Sequence, residues 1–477
     1  MNSLSIFGTS SDVGKSTLSF AITCLLHKQG IKVAPFKAQN VSNNSQVTDL
    51  NSGEIAIPQA FAAEAIGLKT RPAFNPVLLK SGGKSKAHII INGKSVGNTN
   101  VWEYYRNMER LKPIVKSAFC TLKKEFECIV AEGAGSPVEL NLMDKDLSNI
   151  YIAQEFNTKI ILVADIERGG VFASIYGVYH LLPNKLQKNV IGVIINKFCG
   201  DLSLFDEGIT IIEEQLKIPV LGVVPFKPFN LGFEDSHSLI NYTQDTTNAI
   251  IKVGVIKFPH ISNFTDFEPL VVDREIELSF ISSVNELDSC DLVILPGSKR
   301  VIDDLIWLRE KGFEKKISSK KRKVVAICGG YEMLFERILD PLGIESEYKE
   351  MKGFARLKGD VTFLQEKIVK KGEYNLFGTI AKGYEIHNGI TKKRCKSAKN
   401  LYGTFVHGLF DTDNIRNTIF REINPNYKGY NFNKFKHKVI AEFTEHIDRH
   451  INMKKIISSL SICKLSKENK MPMLKKV

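Results

Sequence analysis

At 477 residues the chain is too long for one hydrophobic core, so roughly two or three domains are expected. Its 43% hydrophobic and 25% charged residues are the balance of a folded globular protein and exclude a chain that is disordered throughout. Lysine and arginine exceed aspartate and glutamate by 13, but the basic residues are scattered and form no stripe interleaved with aromatics. Nucleic-acid binding is therefore not expected, while an anionic small-molecule substrate would profit from the same field.

The first element is a short apolar strand, Leu4 to Phe7, followed by the loop Gly8-Thr9-Ser10-Ser11-Asp12-Val13-Gly14-Lys15-Ser16-Thr17 and a helical pattern from Leu18 to Leu26. Gly8 and Gly14 let backbone N–H groups crowd around a polyphosphate at a helix N-terminus. Lys15 would reach the β- and γ-phosphates of a nucleotide, and the Ser16 hydroxyl would sit on Mg²⁺. Five residues separate Gly8 from Gly14, one more than in the common phosphate-loop motif.

Further strand-like runs fall at 32–36, 127–131, 159–164, 190–195 and 219–224, with helical stretches between several of them. This alternation predicts a parallel sheet covered on both faces, with ligands at the carboxyl ends of its strands. Polar groups stand at those ends: Lys37, Gln39 and Asn40; Glu132 before a Gly-Ala-Gly-Ser turn; Asp165 and Arg168; Asn196 and Lys197. Glu132 is suited to hold Mg²⁺ beside Ser16, and Lys37 to bind an anion beside the phosphate loop. For Asp165 and Arg168 a structural salt bridge is an equal reading.

Residues 41–110 are polar and poorly periodic. Asn75 to Lys80 and the strand-like His88 to Ile91 suggest an ordered, substrate-facing excursion. A boundary is expected near 235–250. The division is thus an ATP-binding domain over 1–240, a second α/β domain over 249–460 and a basic, mobile tail over 461–477. In the second domain strands are read at 249–258, 291–295, 323–327, 376–381 and 402–406, and a last helix over 433–459.

Two stretches of this domain carry chemistry. The strand Lys323 to Ile327 runs into Cys328-Gly329-Gly330, the pattern of a nucleophile elbow, where small neighbours permit a tight turn and a following helix is expected to lower the thiol pKa. Pro296-Gly297-Ser298 ends another strand in a turn suited, with Gly329, to form an oxyanion hole. His407, after an apolar strand, could serve Cys328 as base.

The eight cysteines, Cys24, Cys120, Cys128, Cys199, Cys290, Cys328, Cys395 and Cys463, show no CxxC spacing, which argues against zinc and a disulfide framework. No leader is expected before the first strand, and no apolar run is long enough to span a bilayer, so the chain is read as cytoplasmic and free of membrane partners.

Together these segments resemble the cobyric acid synthase family over nearly all of the chain to about residue 424. The resemblance is carried by Gly8 to Ser16, Pro35 to Asn40, Ser42 to Ser45, Asn75 to Lys80, Glu132 to Asn141, Val163 to Ala173, Ile195 to Phe198, Ile261 to Asp266, Leu295 to Lys299, Gly383 to His387 and His407 to Asp411. The first half is also similar to dethiobiotin synthetase, whose phosphate loop has the same extra residue. The implied fold is α/β throughout: a P-loop NTPase-like, dethiobiotin synthetase-like domain followed by a class I glutamine amidotransferase-like domain. The implied activity is ATP- and glutamine-dependent amidation of the b, d, e and g carboxylates of adenosylcobyrinic acid a,c-diamide. By the same resemblance Gly8, Thr9, Asp12, Gly14, Lys15, Ser16, Thr17, Lys37 and Asn196 bind ATP, Asn196 at the adenine. Gln39, Asn40 and Asp146 face the substrate. Cys328 forms the glutamyl thioester, with His407 as base.

The sequence departs from the family or its wider class at several points. Class I amidotransferases usually carry a glutamate two residues after the histidine; here Leu409 stands there, an absence shared with the family. The glycine two before the cysteine is Ala326, the glutamine after Gly-Gly-Tyr is Glu332, and a glycine three residues on is Phe335. A carboxylate at Glu332 would weaken glutamine binding and favour free ammonia. The Lys80 to His88 segment lacks an expected Pro and Ser-Gln that would bear on corrinoid contacts. The alternatives weighed are cobyrinic acid a,c-diamide synthase, which shares both domains, and a P-loop regulatory ATPase with an inactive second domain. The sequence leaves open whether the chain forms a homo-oligomer.

Overall fold

The computed structural model describes residues 2–81, 86–229, 231–232, 244–319, 321–392, 395–398 and 400–460. Residues 234–238 at the expected boundary and the lysine-rich tail, 461–477, lie outside the described residues. The chain forms two compact units, and contact does not follow sequence order. The first gathers the chain up to Ala34, Leu122–Phe226 and the segment from His446 onward; the second gathers Pro35–Thr121 and Lys227–Glu445.

The first unit is built on a six-stranded sheet. Its strands lie side by side in the order Val220–Pro225, Val190–Phe198, Lys159–Asp165, Ser3–Gly8, Cys128–Glu132, Val33–Phe36. Pairing is parallel from Val220–Pro225 through to Cys128–Glu132. These strands read as continuous apolar runs because both faces are covered, as the wholly buried pattern of Ser3–Gly8 and Cys128–Glu132 shows. The order places Glu132 and Asp165 at the ends of the strands flanking Ser3–Gly8. Lys37 follows a strand one place further out and belongs to the second unit, so its expected position next to the phosphate loop is not what the strand order gives. Strand order in a doubly wound sheet differs from chain order, and the sequence alone does not display it.

The edge strand Val220–Pro225 is covered by the end of the described chain. Gly222 pairs with Ile451, Asn452 N–H donates to Leu221 O at 2.7 Å, and His446 Nε2 donates to Pro225 O at 2.9 Å. A Cβ on Gly222 would stand 2.1 Å from His450 O, so only glycine admits this crossing. The single helix expected over 433–459 is accordingly two, Phe432–His450 and Met453–Ser459, broken where Ile451 turns to pair with the sheet.

The second unit holds another six-stranded sheet, ordered Ile276–Ile281, Ile251–Ile256, Leu292–Leu295, Val324–Ile327, Leu401–Thr404, Cys395–Ala398. Only the last pairing is antiparallel. A long hairpin, Leu357–Leu376 and Thr379–Ile390, belongs to a separate four-stranded sheet. The strand expected at 376–381 spans the tip of this hairpin: Leu376 ends one strand and Thr379 begins the next, and Phe377 and Gly378 between them turn at φ 54° and 84°, since left-handed residues match the twist of a tight hairpin. The polar excursion is ordered: Gln39–Val41, Val77–Ser81, Lys86–Ile91 and Lys94–Asn100 form a sheet of their own.

Candidate active site

In the first unit the strand Ser3–Gly8 delivers the chain into the glycine-bounded loop, and the helix Lys15–Lys28 starts directly behind it. No acidic side chain occupies the first turn of that helix, which leaves its N-terminal N–H groups and dipole to an anion. Gly14 is left-handed at φ 93°, and a Cβ there would strike Asn196 Nδ2 at 2.2 Å; on Gly8 it would strike Lys15 Nζ at 2.7 Å. Both glycines are thus fixed by what packs on them. Lys15 Nζ donates to Ser10 O at 2.9 Å, Thr17 Oγ1 to Gly14 O at 3.0 Å, and Thr9 N–H to Val163 O at 2.9 Å. Asp12, at φ 59°, is exposed and stands 3.9 Å from Arg168.

Ser16 Oγ donates to Glu132 Oε1 at 2.6 Å. A hydroxyl and a buried carboxylate converging at the helix start are hard oxygen donors, and they fit a magnesium ion. Asp165 pairs with Lys197 at 3.0 Å. Asn196 Nδ2 donates to Val13 O at 2.8 Å, so it steadies the loop backbone. Asp146 is turned inward: Oδ1 accepts from the N–H groups of Ser148 and Asn149 at 2.8 and 2.7 Å, and Oδ2 from Asn149 Nδ2 at 2.8 Å. That arrangement starts the helix Ile150–Phe156.

The other three residues expected at substrate or phosphate lie in the second unit. Lys37 is buried, Gln39 Oε1 accepts from the Tyr104 hydroxyl at 2.8 Å, and Asn40 Oδ1 accepts from Val41 N–H at 2.8 Å. Lys80 is also turned inward, bonded to Ser45 Oγ at 2.5 Å and paired with Glu54, which rules it out as a surface contact for a large ligand.

Also in the second unit, Cys328 sits at φ 50°, ψ −113°, a conformation that costs a cysteine about 1–3 kcal/mol and is held by its surroundings. Its N–H continues the sheet onto Thr404 O at 2.8 Å, and its carbonyl accepts from Tyr331 and Glu332. A Cβ on Gly330 would lie 2.3 Å from Leu295 O and one on Gly329 2.8 Å from Ser298 N, so the elbow closes only with glycine there. The helix behind it is one short turn, Gly329–Glu332, and the chain then enters the strand Phe335–Leu339. Phe335 packs its ring on Tyr331, at 5.1 Å between centroids.

The expected lowering of the thiol pKa is reversed. Burial, followed by the charge of Glu332, pushes Cys328 well above the ordinary value of 9.0, and a single N–H from Gly329 does not offset them. Cys328 is thus a thiol at neutral pH and needs a base. Its rate of alkylation by iodoacetamide is expected to be slow at pH 7 and to climb with pH, without levelling off below pH 9.0. A plateau near neutrality in the pH–rate profile would contradict this.

A candidate base is held by the same strand as the elbow. His407 and Cys328 are tied to the same strand, Thr379–Ile390: His407 N–H donates to Tyr384 O at 2.8 Å, and Cys328 Sγ lies 3.6 Å from Ile386 O. His407 Nδ1 donates to Asp266 Oδ2 at 2.7 Å, and Gly408 N–H donates to Asp266 Oδ1 at 2.7 Å. Both side chains of the His–Asp pair are 1% exposed. The carboxylate fixes the tautomer that leaves Nε2 free to take a proton. Asp266 is the partner of His407 that the sequence reading missed. The usual acid position, Leu409, is filled by a fully buried core side chain, which was the cue to look for an acid elsewhere.

The Pro296–Ser298 turn lies against His407 and the elbow glycine, since a Cβ on Gly297 would stand 3.0 Å from His407 Cε1 and one on Gly329 2.8 Å from Ser298 N. Pro296 has no N–H and so cannot serve an oxyanion; its carbonyl accepts from Gly330 N–H at 3.0 Å and holds the elbow. Gly297 and Gly329 retain N–H groups of the required kind. Glu332 is 2% exposed, accepts from Gly389 N–H, and is pushed well above the carboxylate range by burial and then by Glu345. Burial thus disfavours the charged form on which weakened glutamine binding was argued.

Comparison with known proteins agrees with both halves. Residues 4–230 match the CobQ/CobB/MinD/ParA nucleotide binding domain, and residues 252–415 match the CobB/CobQ-like glutamine amidotransferase domain. The chain is 52% identical to the cobyric acid synthase of Acinetobacter baylyi over 463 residues, covering 96% of this chain and 99% of that one. The chain belongs to the cobyric acid synthase family. The cobyric acid synthase of Clostridium kluyveri is 36% identical, with 97% of this chain and 99% of that one covered. That of Listeria monocytogenes is 39% identical, with 88% and 87% covered. As a cobyric acid synthase family member the chain is an ATP-using amidating enzyme of cobalamin biosynthesis, with the P-loop and glutamine amidotransferase architecture read from its sequence.

Proposed function

We propose that the chain amidates the b, d, e and g side-chain carboxylates of adenosylcobyrinic acid a,c-diamide to give adenosylcobyric acid. The observation that carries this reading is a Cys328–His407–Asp266 set at an elbow, in a chain that also carries a complete phosphate loop. A carboxylate is a poor electrophile, so its oxygen takes the γ-phosphoryl group of ATP to give an acyl phosphate, which ammonia then attacks with release of phosphate. Lys15 and the N–H groups of the loop neutralise charge on the transferring group. Ser16 and Glu132 would hold Mg²⁺, which supplies further neutralisation of the polyphosphate when bound.

Ammonia is made separately. His407 takes the Cys328 proton as the sulfur attacks the glutamine side-chain amide, and returns it to the leaving ammonia. Gly297 and Gly329 face the oxyanion, and water then hydrolyses the thioester to glutamate. We place the reaction in the cytoplasm, in keeping with ATP use and with Cys24, Cys120, Cys128, Cys199, Cys290 and Cys328 forming no disulfide among the described residues. Among the described residues no helix is long and apolar enough to cross a membrane.

Mass spectrometry of the a,c-diamide incubated with enzyme, ATP, Mg²⁺ and glutamine tests the reading. Stepwise OH-to-NH₂ exchange at the b, d, e and g positions is expected. An unchanged corrinoid would overturn it, and exchange at a and c on the unamidated precursor would point to the diamide synthase instead.

A further inference from the structure

The turn from Pro296 into the helix Val301–Glu310 carries more than the oxyanion groups. It is clamped. Ser298 Oγ donates to Asp304 Oδ2 at 2.5 Å and accepts from Arg300 N–H at 3.0 Å, and Lys299 N–H donates to His260 O at 2.9 Å. Glu345 arrives from a different loop and accepts from Val301 N–H at 2.9 Å, which sets its carboxyl group two residues from Lys299. That loop is rigid too, because Asp340 accepts from the N–H groups of Ile344, Glu345 and Ser346 at 2.7–3.0 Å. A lysine and a carboxyl are thus fixed at one turn, and that turn touches the Cys328 elbow. Both are half-buried, hence reachable, whereas Cys328 is buried.

The charges near this turn do not balance. Lys80, Lys367 and Lys299 gather about the deeply buried carboxylate of Glu54, and Glu345 also acts on Lys299. One oxygen of Glu54 is taken by Lys80 together with Ser45 Oγ, and the other by Lys367 at 2.7 Å. Among the described residues Lys299 forms no ion pair of its own, and neither does Glu345. Burial and the neighbouring lysines push Lys299 well below its ordinary pKa, and burial pushes Glu345 up. Lys299 and Glu345 offset only part of this burial penalty for each other, so each charged form gains from a further partner of opposite charge. One ligand relieves both: a zwitterion with its two charges on a single carbon.

We propose that Lys299 binds the α-carboxylate and Glu345 the α-ammonium of free glutamine, so that the site selects an amino acid rather than any primary amide. The inference rests on Cys328 being the glutamine-directed nucleophile. Glutamate release, or the corresponding amide hydrolysis, is measured with the full chain on glutamine, on glutaramate, which lacks the ammonium, and on 4-aminobutanamide, which lacks the carboxylate. Each rate is taken relative to the same preparation's ammonia-dependent amidation, so that a poorly folded variant is not mistaken for a selective one. Lys299→Met is expected to raise KM for glutamine and glutaramate by about 10- to 100-fold while leaving 4-aminobutanamide unaffected. Glu345→Gln is expected to do the same for glutamine and 4-aminobutanamide while leaving glutaramate unaffected. An equal loss on all three amides, or an unchanged KM for glutamine, would overturn the proposal. Full hydrolysis by Cys328→Ser would instead overturn the nucleophile on which it rests, so the two failures are distinguishable.

Discussion

Replacing Cys328 with serine is expected to lower glutamine-dependent amidation by at least about 10⁴-fold while ammonia-dependent amidation persists. The elbow geometry survives the change, because the strain belongs to the backbone at φ 50° and its bonds to Thr404, Tyr331 and Glu332 do not involve the side chain. What is lost is the thiol. A serine hydroxyl is a far weaker acid than cysteine, and the same burial and neighbouring carboxyls that raise the Cys328 pKa oppose an alkoxide still more. His407 and Asp266 would remain paired but without a nucleophile to serve. Parallel assays with glutamine and with an ammonium salt decide the matter. Loss of both activities together would count against ammonia being generated apart from its use.

Lys15→Ala is expected to give the opposite pattern, a fall of about 10²–10³-fold with either nitrogen donor. Phosphoryl transfer precedes attack by nitrogen, so no supply of ammonia rescues a carboxylate that is not activated. Lys15 lies over Gly8, where a Cβ would be only 2.7 Å from Nζ, and its ammonium rests on Ser10 O within the loop. That tether holds the charge where a polyphosphate would be cradled. Single-turnover phosphate release in the presence of corrinoid, with thermal unfolding to confirm the fold, measures the effect. Near-wild-type rates would remove Lys15 from the reaction.

The parts legible in the sequence were those whose signal is local. Strands buried on both faces, such as Lys159–Asp165, read as unbroken apolar runs, and the spacing of Gly8, Gly14, Lys15 and Ser16 carries its own chemistry. The long hairpin was missed because Leu357–Leu376 is rich in lysine and buries few of its positions, so neither apolar content nor alternation marks it. Asp266 was out of reach for a different reason. It meets His407 across 141 positions of sequence, and only the fold brings the short helical turn Phe264–Phe267 to the histidine. The thiol pKa was misjudged because a glycine-rich turn suggests a helix dipole. What surrounds Cys328 is instead one helical turn and three acids, Glu332, Asp266 and Glu345.

The crossing of Gly222 by His450 and Ile451 bears on the order in which this protein is made. The first unit begins with the first strand, yet its sheet edge stays open until the segment following His446 arrives to pair with it. On the ribosome, the phosphate-loop unit must therefore wait through the synthesis of Lys227–Glu445 with the strand Val220–Pro225 bare. A bare strand is an invitation to pair with another chain. A gene cut near residue 240 to liberate the nucleotide half would make that interval permanent, and the product is expected to aggregate rather than to fold as an independent ATPase.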